Sequence, residues 1–163
     1  MRAIAVCIAV TVAVASLVAQ RGPQPDVTYR SAADVAALIG KAKAQNDAKA
    51  QPTIAQSILR LAPYNVSLEY RGSVGPASVH MKEAELFYVI DGSGTLTTGG
   101  KLVNQTQNGD NLSGTAIEGG KAQAMNKGDF AIVPENTPHW FSEIKQTLVL
   151  MSLHVPRPVP AAK

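Results

Sequence analysis

Residues 72–92 read GSVGPASVHMKEAELFYVIDG, and residues 128–143 read GDFAIVPENTPHWFSE. Each is a pair of short runs with strand-like residues, bounded by glycine or proline, in which period two replaces any helical period. In the first, Glu85, Phe87 and Val89 share one face and Leu86, Tyr88 and Ile90 the other. In the second, His139 and Phe141 share a face. Working outward, further strands are predicted at Ile54–Leu61, Asn65–Arg71, Ala77–Met81, Glu85–Ile90, Thr95–Thr98, Ala122–Met125, Phe130–Val133, Trp140–Glu143 and Thr147–Val155. So many short strands in one stretch require a closed barrel or a double-sheet jelly roll. Asn104–Gly120 is polar, glycine-rich and aperiodic, and reads as a loop.

Ahead of the strands lies one amphipathic helix, about Ala32–Ala48. Ser31 offers its N-cap, with Asp34 three residues on as a capping-box partner. Val35, Leu38, Ile39 and Ala42 form a narrow apolar stripe that covers one end of a sheet. The expected division is an export signal over 1–19, linker and helix over 20–50, the barrel over 51–157 and a short tail over 158–163.

The first 19 residues are apolar or small apart from Arg2, which supplies a positive start. Ala13–Ala15 gives an A-x-A site, and a cut after Ala19 leaves Gln20 first. The alternative is an uncleaved anchor, although Ala3–Ala19 is shorter than the ~20 residues a spanning helix needs. Cys7, the one cysteine, lies inside this segment. It sits too early for lipidation and follows Val6 instead of a small residue. The mature chain therefore has no disulfide and no thiol nucleophile, and a periplasmic or secreted location is expected. The 163 residues carry 15 basic and 12 acidic side chains, a formal charge of +3. The excess is scattered, so no nucleic-acid footprint is present. No second membrane segment follows the head.

The chain has three histidines, His80, His139 and His154. A histidine and a glutamate on neighbouring strands, with a histidine from a distant strand, can converge inside a barrel. Two imidazoles and one carboxylate form a metal set that leaves coordination positions open. On spacing alone, isolated core or surface histidines account for the same residues equally well.

The spacing does, however, resemble the two motifs of the cupin superfamily. Gly72, Ser78, His80, Glu85 and Gly92 keep the intervals of G-x5-H-x-H-x3,4-E-x6-G. Gly128, Pro134, Asn136, His139 and Glu143 keep those of G-x5-P-x-G-x2-H-x3-N. The resemblance implies an all-β, double-stranded β-helix (a jelly-roll cupin barrel) with one N-terminal α-helix. It implies His80, Glu85 and His139 as ligands of a divalent transition metal: Mn, Fe, Ni, Cu or Zn. With these ligands pointing inward, strand alternation sets Phe87 and Phe141 beside Ser78 along the pocket. Glu85 is preferred to Glu83 because only Glu85 keeps the six-residue gap to Gly92, while Lys82-Glu83-Ala84 reads as a solvent-facing hairpin connection.

Three departures bear on mechanism. Ser78 stands where cupins with four protein ligands have histidine, Asn136 replaces a turn glycine, and Glu143 replaces an asparagine. His154 lies outside both motifs and reads as an exposed strand-end residue. Trp140 and Tyr88 are expected to face outward, against another strand layer or the partner in a homodimer.

Two function classes follow. One is a metal-dependent enzyme of dioxygenase, isomerase or lyase type acting on a small organic molecule, its catalytic residues not readable. The other is a non-catalytic barrel that binds or senses a small molecule, for which the lost ligand at Ser78 speaks. The export reading is checked by mass spectrometry of protein from an exporting host. The expected start lies between Ser16 and Arg21, and an intact Met1 in a membrane fraction would overturn it.

Overall fold

The computed structural model describes residues 28–157; the expected export signal and the tail from 158 lie outside them. Helix α1 spans Ala32–Lys49. Eleven strands follow: β1 Thr53–Leu61, β2 Tyr64–Arg71, β3 Ala77–His80, β4 Glu83–Thr98, β5 Lys101–Val103, β6 Thr106–Asn108, β7 Asn111–Gly114, β8 Ala116–Glu118, β9 Lys121–Asn126, β10 Phe130–Val133 and β11 His139–Pro156. All ladders are antiparallel. The result is the jelly-roll barrel that the motifs imply, with the one helix that the cap and apolar stripe predict. No helix among the described residues is long and apolar enough to cross a membrane.

Ser31 caps α1 through a reciprocal capping box with Asp34, whose carboxylate returns to the Ser31 backbone. The stripe predicted from sequence is the buried one. Ala42, with Val35, Leu38 and Ile39 around it, packs on Ile54, Ile58, Leu68, Tyr70 and Val149. This cluster lies on the outer face of β1, β2 and β11. The barrel interior holds the second cluster: Phe87, Val89, Leu96, Met125, Val133, Phe141, Leu148 and Leu150. Each large side chain so buried contributes ~1.5–3 kcal/mol.

The axis of the barrel is the ladder between β4 and β11. It runs from His139↔Thr98 to Pro156↔Glu83, with register shifts at Phe141/Glu143, Lys145/Leu148 and Val149/Leu150. Glu85–Ile90 and Thr95–Thr98, expected as separate strands, are two halves of β4, and Trp140–Glu143 and Thr147–Val155 are likewise halves of β11. Bulges and glycines let one strand bend between the two sheets of the roll without ending. Gly92 (φ +80°) is the pivot: a Cβ there would run into the Thr147 carbonyl. On the first half of β4 sits β10, and on the second half β9.

Asn104–Gly120 is not a loop. It holds β6, β7 and β8, with β7 paired to β3 and β8 to β5. These strands are short and mostly exposed, so alternation of apolar residues never marks them. Backbone ladders hold them instead. Asn136 does enter the left-handed region (φ +57°), as its replacement of a turn glycine requires,.

Replacing Gly92 with alanine forces a side chain into a positive-φ site already closed by backbone. Denaturant titration should show a loss of at least about 2 kcal/mol. A change within ~0.5 kcal/mol would mean that β4 does not bend there.

Candidate metal centre

Glu85, near the start of β4, is 4% exposed and points into the barrel. Its Oε2 lies 3.2 Å from His80 Nε2 and 3.1 Å from His139 Nε2. Its Oε1 lies 3.3 Å from His154 Nε2 and accepts from the buried Ser152 hydroxyl at 2.6 Å. Topology explains the convergence. His139 opens β11 directly opposite Ser78 of β3, which brings His80, two residues along, to the same face. His154 is the β11 partner of Glu85, and Ser152 is its diagonal neighbour.

His80, Glu85 and His139, the three residues expected from sequence, do meet. The most compact grouping, however, is His80, Glu85 and His154, whose donor atoms all lie within 4.8 Å of one another. His154 is therefore not an exposed strand-end residue. Nor is Glu83 a free hairpin carboxylate, since its Oε2 sits 2.9 Å from His154 Nδ1. A signal for His154 was present in β11: Leu148, Leu150, Ser152 and His154 share one parity, so the strand's barrel face turns polar towards its end.

The outer ring nitrogens settle the chemistry of the inner ones. His80 Nδ1 is 2.7 Å from Asn111 Oδ1, His139 Nδ1 is 3.1 Å from the Thr137 carbonyl, and His154 Nδ1 faces the Glu83 carboxylate. All three partners accept, so each Nδ1 carries a proton, and a ring without a second proton would aim its Nε2 lone pair at Glu85. Lone pairs against a carboxylate repel. Positive charge must lie between them, as protons on the rings or as a cation. Outer acceptors that fix the tautomer of inward-facing imidazoles are the usual support of a metal site. Two donors ~2.0–2.2 Å from a common ion stand roughly 3.0–3.4 Å apart; each Nε2 stands at such a distance from a Glu85 oxygen, and His139 lies outside the set whose donors are all within 4.8 Å of one another. The residues fit a divalent cation.

Without a cation the protons take that place. Burial pushes the Glu85 carboxyl up, but bonds from His139, His154 and His80 outweigh it and hold the group below the ordinary carboxylate range. Burial opposes charge on His80, yet the bonds to Glu85 and Asn111 raise it. His154 is raised to about 9, first by the bond to Glu85, against burial, and then by Glu83.

A cavity of about 160 Å³ adjoins the cluster and is lined by Ser78, Arg71, Glu69, Pro76, Trp140 and Phe141 as well. Ser78 and Phe141 thus stand where expected. Phe87 does not reach the cavity: it is fully buried behind it, 5.3 Å from Phe141 and 6.0 Å from His139 between ring centroids. Trp140 borders the cavity, and its indole N–H donates to the Gly75 carbonyl. Tyr88 does face outward, against Phe130. A wider groove of about 850 Å³ reaches His80 from outside, past Lys82, Glu83, Asn111 and Arg157.

The sequence matches the family described as "Cupin domain" over residues 65–155. No curated protein sequence matches it significantly. Similar solved structures include KdgF from Halomonas sp., 15% identical, with a TM-score of 0.49 over 66% of this chain and 81% of that one. Another is a putative mannose-6-phosphate isomerase from Ralstonia eutropha (14%, TM-score 0.46, 64% and 85%). A third is the cupin domain of Cnp3 from Schizosaccharomyces pombe (14%, TM-score 0.49, 66% of each chain).

His154 gives the centre a pH signature. In chelated protein its pKa is about 9 against an ordinary 6.5. The pair with Glu85 therefore stabilises fully below about pH 6.5, and its contribution is lost as pH rises through 9. Denaturation midpoints of chelated protein should fall across that window, and His154→Gln should flatten the fall. A divalent ion needs neutral rings, so loading it should release protons and remove the decline. A flat profile in chelated wild type would contradict the arrangement.

Proposed function

The chain belongs to the cupin family, and on that footing we propose that it is an exported, divalent-metal cupin acting on a small oxygen-bearing organic molecule. The observation that carries this reading is the convergence of three Nε2 atoms on one buried carboxylate, with every Nδ1 already bound to an acceptor. His80, Glu85, His139 and His154 would hold the ion. When bound, such an ion polarises a carbonyl, enolate or hydroxyl oxygen of the ligand and offers an open position to it. An imidazole-rich set suits Zn, Cu, Fe and Ni, with Mn also compatible, and availability decides between them.

The remaining work falls to the chain's own groups. Ser152 holds Glu85 by its hydroxyl, while Asn111, Thr137 and Glu83 hold the three rings. Ser78, a weak neutral donor, leaves its side of the cavity available to the ligand. Phe141 and Trp140 limit the space and the water beside it. The apolar head with its small-residue cleavage sites supports export. Ser78 is also the feature that favours a non-catalytic binding barrel, but His154 would supply the fourth side chain that Ser78 does not.

Element analysis of protein purified without a His tag should find a stoichiometric transition metal after dialysis. His80→Ala, His139→Ala and His154→Ala should each abolish retention, and Glu85→Gln should weaken it strongly, since the one compensating charge disappears. Ser152→Ala and Glu83→Gln should cost about 10–100-fold in affinity through the loss of positioning bonds. Wild type that is folded, metal-free and unable to take up any of these ions would leave the binding barrel as the reading.

A further inference from the structure

Arg71 ends β2, on the barrel side of that strand; Leu68 and Tyr70 face the helix-side core. Its guanidinium lies 4.8 Å over the Phe141 ring and is largely buried. Nε and Nη2 both donate to a single oxygen, Glu69 Oε2, at 2.9 and 2.6 Å. A guanidinium has five N–H donors. The other three, on Nη1 and the far side of Nη2, meet no acceptor among the described residues. Asn65 Oδ1 is the sole sealed-off polar side-chain atom without a partner among them; the unpartnered Arg71 Nη1 is therefore not sealed off, and Arg71 lines the cavity.

Charge points the same way. Glu69 cancels Arg71, and Glu85 cancels half of a divalent cation, which leaves the cavity with about one positive charge. A planar guanidinium with spare donors matches a carboxylate. Volume sets the size: a cavity of about 160 Å³ is comparable with the ~150 Å³ that admits benzene, or about six non-hydrogen atoms.

We propose that the pocket takes a small carboxylic acid of about six non-hydrogen atoms bearing a second oxygen donor. Its carboxylate sits on Arg71, and its hydroxyl or carbonyl oxygen is turned to the His80–Glu85–His139–His154 group. This rests on the metal reading above and names its substrate class. Arg71 is then the residue that selects acids over neutral molecules of equal size.

The test is isothermal titration of metal-loaded protein with acid and amide pairs: glycolate and glycolamide, lactate and lactamide, pyruvate and pyruvamide. Inorganic phosphate serves as the bare oxyanion. At least one acid should bind 10-fold or more tightly than its amide and more tightly than phosphate. Arg71→Met should erase that preference with metal content unchanged. Arg71→Lys keeps the charge, covers the case in which the methionine variant fails to fold, and should lose most of the preference with the fork. Equal binding of every acid and its amide, a preference that survives in both variants, or phosphate as the tightest probe overturns the proposal. Element analysis of the same samples separates the two readings. Full metal without acid preference refutes the Arg71 assignment alone. Acid preference in protein that takes up no metal refutes the metal reading and leaves the Arg71 assignment standing.

Discussion

The negative charge of Glu85 lies in a barrel interior where an uncompensated carboxylate costs several kcal/mol. Everything around it is arranged to meet that cost. Three rings and one hydroxyl approach its two oxygens from β3 and from both ends of β11. The hydroxyl also divides the carboxylate's labour. With Ser152 on Oε1, one oxygen is fixed by the protein and the other is shared by His80 and His139. Removing any one partner leaves the others aimed at a charge they no longer balance, so the cluster acts as a unit.

The barrel is what makes such a unit achievable from residues 74 positions apart, and the bend in β4 and β11 is what closes the barrel. A straight β4 would carry Glu85 and Leu96 along one flat sheet. Gly92 instead turns the strand, so that Phe87 and Val89 from one half pack with Leu96 from the other in a single core. Packing and site then share side chains: Phe87 sits edge-on to Phe141 and close behind His139. The apolar core thereby limits how far the His139 ring can move.

How much of this could be read beforehand follows from where each residue stands relative to local pattern. His80, Glu85 and His139 sit at fixed intervals from turn residues, and intervals survive without knowledge of register. Glu85 was separable from Glu83 on that ground, and the helix was legible because its cap and stripe are local. His154 was not legible through intervals, since no motif contains it. Its approach to Glu85 depends on a ladder that passes through three register shifts, each able to invert which face a residue occupies. Phe87 shows the limit of parity from the other side: it points inward as expected, yet inward means core at that level of the barrel and cavity only at the next. The strands within Asn104–Gly120 escaped for a third reason. Their pairing is a matter of backbone bonds, and side chains that face water carry no periodic trace of it.

That last segment also alters what the site depends on. Asn111, at the start of β7, lies opposite His80 in the β3–β7 ladder and accepts from its Nδ1. Asp110 next to it accepts the Met81 amide through its carbonyl and pairs with Lys82 through its side chain. The β6–β7 hairpin is thus fastened to the chain on both sides of His80. An exposed insertion, with little apolar burial of its own, sets the tautomer of a ring at the centre of the barrel. The other two rings take their outer bonds from Thr137, two residues before His139, and from Glu83, two residues before Glu85. Only His139 takes its outer bond locally; His154 relies on β4, and His80 on the exposed β6–β7 hairpin. The orientation of His80 therefore follows the pairing of β7 with β3, and changes in the hairpin reach the candidate metal centre through this one imidazole.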